Sequence, residues 1–107
     1  MSEPCTPRMR QLQLLLEKEP ADTFLLYGLA LEYKKADDPV HAIEYLDRVI
    51  GLDSGYCYAY HQKGLIYESR DNLPAARSAY LEGIEASKKK GDNHARQEIE
   101  AALDLIA

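Results

Sequence analysis

Residues 26–46 read LYGLALEYKKADDPVHAIEYL and residues 60–80 read YHQKGLIYESRDNLPAARSAY, and laid one above the other they decide the fold. The offset between them is 34 residues, with matches where helix packing needs them: Ala30 with Gly64, Leu31 with Leu65, Tyr33 with Tyr67, Asp37 with Asp71, and Ala42 with Ala76. Beyond the second block, Ile50 falls on Ile84. Small residues recur where two helices of a hairpin would approach closely, and larger ones recur beside them.

Outward from this pair, apolar residues recur at helical spacing and no stretch alternates in the manner of a strand. A first helix is expected from Pro7 to about Lys18, capped by Thr6, ended by Pro20, with Leu12, Leu15 and Leu16 inside. A second runs from about Thr23 to Ala36 and buries Leu26, Leu29, Ala30 and Tyr33; a third opens on Asp38-Pro39 and buries Ala42, Ile43, Leu46, Val49 and Ile50. The pattern restarts near Cys57, turns at Asp71-Asn72, resumes after Pro74 and ends in Lys88, Lys89 and Lys90 before Gly91. That lysine run reads as a basic helix end opposing the macrodipole rather than an anion site. A last helix, capped by Asp92 or Asn93, carries Ala95, Ile99, Ala102, Leu103 and Ile106. The expectation is an all-α chain of five helices packed as antiparallel hairpins.

These slots resemble the tetratricopeptide repeat family, whose signature is W-x-x-L-G-x-x-Y followed by Ala, an aromatic and Pro. The first unit supplies Leu26, Leu29, Ala30, Tyr33, Ala42 and Leu46, with Ser54 in the proline slot, and the second supplies Tyr60, Lys63, Gly64, Tyr67, Ala76 and Tyr80. Departures are Lys63 in a leucine slot, Gly83 where a small apolar residue is usual, and Arg8 in an alanine slot. The resemblance implies a single domain with a half-repeat at 7–20, repeats at 23–56 and 57–90, and a capping helix at 92–107. That last helix is expected to cap the stack, with Ile99 and Leu103 docked on helical surface near Ile84 and Tyr80; the competing placement is a lid across the groove, against Tyr58 and Leu65.

The resemblance also implies a concave groove lined by the first helix of each unit. Its slots hold Phe24, Tyr27, Leu31 and Lys35, then Tyr58, His61, Leu65 and Ser69, a set rich in aromatic and leucine side chains. The family's two-carboxylate clamp is missing, because its slots hold Phe24, Gly28, Tyr58 and Gln62. The implied function is therefore non-catalytic capture of an apolar helix or peptide from another protein. The alternative is self-assembly, with the groove buried by a second copy or by the last helix.

Composition narrows the other classes. At 107 residues with 46% hydrophobic and 29% charged residues, the chain can bury a thin core. A net charge of -5 disfavours nucleic acid and anionic membranes as partners. Residues 1–10 lack the apolar run of a secretory leader, no membrane-spanning run is present, and Cys5 and Cys57 form no disulfide framework, so a cytoplasmic setting is expected. Cys57 and His61 lie four apart on one helix, but no third ligand or orienting carboxylate accompanies them, so no metal, cofactor or catalytic site is expected. His41 and His94 are expected on solvated faces.

Overall fold

The computed structural model describes residues 6–107; Cys5 and the rest of residues 1–5 lie outside them. The described residues form α1 (Pro7–Lys18), α2 (Thr23–Lys35), α3 (Pro39–Leu52), α4 (Cys57–Ser69), α5 (Leu73–Lys90) and α6 (Asn93–Asp104), with no strand among them. The all-α hairpin class is as expected, but the helices number six rather than five. The stretches opening near Cys57 and at Pro74 are both complete helices, separated by a turn in which Asp71 takes φ 59°. The chain divides into two compact units, one ending at Leu52 and the other beginning at Asp53.

Local chemistry fixes most helix ends. Thr6, Asp22, Asp38, Asn72 and Asp92 each accept a hydrogen bond from the backbone N–H three residues on, at 3.0 to 3.3 Å, which satisfies donors that a helix start leaves open. α4 opens on Tyr56 without a side-chain cap. The two hairpin turns repeat in detail. Asp37 and Asp71 both sit at φ 59°, a left-handed conformation that Asp tolerates better than most residues. The next residues, Asp38 and Asn72, donate to Tyr33 O at 3.0 Å and Tyr67 O at 2.9 Å. The matched aspartates in the sequence are thus matched helix stops.

In the first unit α2 packs against both α1 and α3. Met9, Leu12, Leu26, Leu29, Leu46 and Val49 are buried there, together with Ala30 and Ala42. The expected inner face of α1 needs one correction. Leu15 is exposed and Met9 is buried in its place, because helical spacing from Leu12 and Leu16 leads back to Met9. Ala30 and Ala42 are essentially inaccessible, so Ala30→Leu or Ala42→Leu is expected to cost about 1 to 3 kcal/mol by overpacking. Chemical denaturation of each variant measures this, and a neutral result at both sites would contradict the assigned helix faces.

In the second unit α5 packs against α4 and α6. Two glycines allow these approaches. A Cβ on Gly64 would clash with one edge of the Tyr80 ring, 2.6 Å from Cζ and nearer still to Cε1. One on Gly83 would lie 2.7 Å from Tyr60 Cβ and 3.1 Å from Ile99 Cδ1. Gly83, out of pattern in the sequence, is therefore where α4 and α6 both press on α5. Ala95 and Ile99 of α6 join Cys57, Ala76, Tyr80 and Ile84 in one core, with Leu103 and Ile106 packed at its edge.

Candidate functional site

α2 presents Phe24, Tyr27, Leu31 and Lys35 at spacings of three, four and four residues, which is one stripe of a helix. The opposite side carries the buried Leu26, Leu29, Ala30 and Tyr33, so burial of one face dictates presentation of the other. Phe24 is 72% exposed, a large apolar side chain held in water by a helix that cannot turn without exposing its leucines. Tyr27 and Leu31 are half-buried, and Lys35 is exposed with Nζ 3.6 Å from Glu32 Oε2.

α4 carries Tyr58, His61, Leu65 and Ser69 at the same spacing, but their surroundings differ. The Tyr58 hydroxyl donates to Glu98 Oε1 on α6 at 2.7 Å, and His94 Nε2 lies 3.2 Å from the same oxygen. The hydrogen bond to that carboxylate, helped by desolvation and nearby negative charge, pushes the Tyr58 pKa up to about 12. The His61 ring stacks on Tyr58 at 6.5 Å and meets Tyr80 edge-on at 6.1 Å. Leu65 is half-buried. The Ser69 hydroxyl turns back to donate to Ile66 O at 2.6 Å. Tyr58 and Ser69 thus already have intramolecular partners, whereas Phe24 stands open. The Tyr58 to Glu98 bond spans 40 residues, a separation at which sequence periodicity carries no signal.

Other candidate chemistry resolves differently. Cys57 is buried and its thiol donates to Gly55 O at 3.3 Å, while the neighbouring His61 ring faces Tyr58 and Tyr80. Among the described residues no group of three or more His, Cys, Asp or Glu is placed to hold a metal. His41 is solvated only in part: its side chain is 35% exposed, its Nδ1 lies 2.8 Å from Asp38 Oδ2, and its ring stacks 5.0 Å from that of Tyr33. His94 is solvent-exposed, as expected. Tyr80, fully buried, donates its hydroxyl to Glu68; burial and that carboxylate raise its pKa above the usual phenol range. No described helix is long and apolar enough to cross a membrane.

No protein-family model matches the chain. A curated tetratricopeptide repeat-containing protein of Pseudomonas aeruginosa is 28% identical over 92 residues, 86% of this chain and 88% of that protein. The crystal structure of a tetratricopeptide repeat domain protein from Salinibacter ruber is 28% identical, with a TM-score of 0.72 over 79% of this chain and 94% of that one. A Bordetella parapertussis protein solved in solution has a TM-score of 0.80 at 20% identity, over 92% of this chain and 85% of that one, and speaks for the fold alone.

Proposed function

We propose that this chain is a small tetratricopeptide-type repeat protein and a non-catalytic binding module that holds an apolar segment of another protein against the outer stripe of α2. Proteins of this fold generally mediate protein-protein interaction or assembly through the surfaces their helices present. The observation that carries the reading is Phe24, 72% exposed on the first turn of α2 beside Tyr27 and Leu31. An aromatic side chain held in water gains from a partner that removes it, and aromatic anchors dominate interface energetics. Lys35 at the end of the stripe favours a partner with an acidic residue there.

Selection of a displayed random-peptide library on the intact chain, followed by affinity measurement, tests this. The expected winners carry apolar residues at helical or alternate spacing. The double substitution Phe24→Ala, Tyr27→Ala is expected to weaken them about tenfold or more, at a modest cost in melting temperature that comes from the half-buried Tyr27 and not from Phe24, which is exposed and supports no core. Unchanged affinity in a folded double variant would overturn the assignment.

A further inference from the structure

The free face of α5 carries opposite charges on either side of a central leucine. Pro74, Arg77, Ser78, Leu81, Glu82, Glu85 and Lys88 are all exposed, and Leu81 is 50% accessible near the middle of the helix. Arg77 and Glu85 lie four residues to either side of Leu81, with opposite charge. When a helix with that pattern meets its own copy antiparallel about a two-fold axis at Leu81, each Arg77 falls opposite the other copy's Glu85, twice over. The same register lays the aliphatic stem of Lys88 against the other copy's Pro74. Glu85 is 68% exposed in its pairing with Lys88, at 3.5 Å, so it can take the second cation.

We propose that the outer stripe of α5 is a self-association surface on which two copies of this chain pair antiparallel, Leu81 against Leu81, with reciprocal Arg77 to Glu85 ion pairs. The occupant is a second copy because charge complementarity and register are supplied by the stripe itself. The pairing is independent of partner capture by α2. One leucine pair with two ion pairs makes a contact smaller than the roughly 1,200 to 2,000 Å² of stable complexes, so the dimer is transient and forms at about millimolar concentration. On the other flank each Glu82 approaches its mate, which opposes the pairing.

Sedimentation of the full chain from about 10 μM to about 1 mM at low salt reads the outcome. The wild type is expected to shift from monomer toward dimer. Arg77→Glu alone and Glu85→Arg alone each convert two attractions into two repulsions and should weaken association about tenfold. The combined Arg77→Glu, Glu85→Arg exchange restores the pairs and should return it to near the wild-type level. Leu81→Asp should abolish it, and Glu82→Gln should strengthen it. These side chains are exposed, and helical circular dichroism verifies that each variant is folded. A chain that stays monomeric to the highest concentration overturns the proposal, as does a dimer indifferent to the single reversals or not restored by the exchange.

Discussion

Gly64→Ala is expected to be the most damaging single methyl group that can be added to this chain. The new Cβ would clash with one edge of the Tyr80 ring, 2.6 Å from Cζ. Tyr80 cannot swing aside, because it is fully buried and its hydroxyl is held by Glu68. The helix would gain about 1 kcal/mol from replacing glycine, but forcing α4 and α5 apart costs more. We expect a net loss of about 2 to 3 kcal/mol, or a fall in melting temperature on the order of 10 to 20 °C. Gly28→Ala is the control: its Cβ would meet Leu12 at 3.7 Å, an ordinary contact, so the variant should match or slightly exceed wild-type stability. Thermal unfolding of the two side by side gives the answer, and equal stabilities would contradict the packing at Gly64.

The second large effect is expected from Ile99→Asp. Ile99 is fully buried in the core with Tyr80 and Ile84 and abuts the position of Gly83, so a carboxylate there is stripped of water and unpaired. The loss should reach about 4 kcal/mol or more. α6 is 12 residues long and marginal as a helix once undocked. Circular dichroism should therefore lose its helical signal, and amide exchange across 93–104 should become fast. If α6 were only a lid on Tyr58, the variant would lose the Glu98 contact and keep its stability. Calorimetry separates the two outcomes.

Much of this was legible in the sequence because helix packing leaves a periodic trace. Ala30, Ala42, Gly64 and Ala76 marked the close approaches, and Asp37 and Asp71 marked the stops. The expected total of five helices was one short even though the turn at Asp71-Asn72 and the restart at Pro74 are both legible, because a leading helix, two hairpins and a last helix already make six. Leu15 was placed inside because three neighbouring leucines fit a face only loosely, and Met9 fits it better. The equivalence of the α2 and α4 stripes was misleading for a different reason. Identical spacing fixes which face a residue takes, but Glu98 reaches Tyr58 from α6, and no local pattern encodes a contact across 40 residues.

The most direct measurement of partner capture is a chemical-shift map of the isotope-labelled chain titrated with the best selected peptide. Expected are saturable shifts concentrated at Phe24, Tyr27, Gly28, Leu31 and Lys35, lost in the Phe24→Ala, Tyr27→Ala variant. Shifts centred on α5 or α6, with the α2 residues unmoved, would contradict the assignment of that stripe as the binding face.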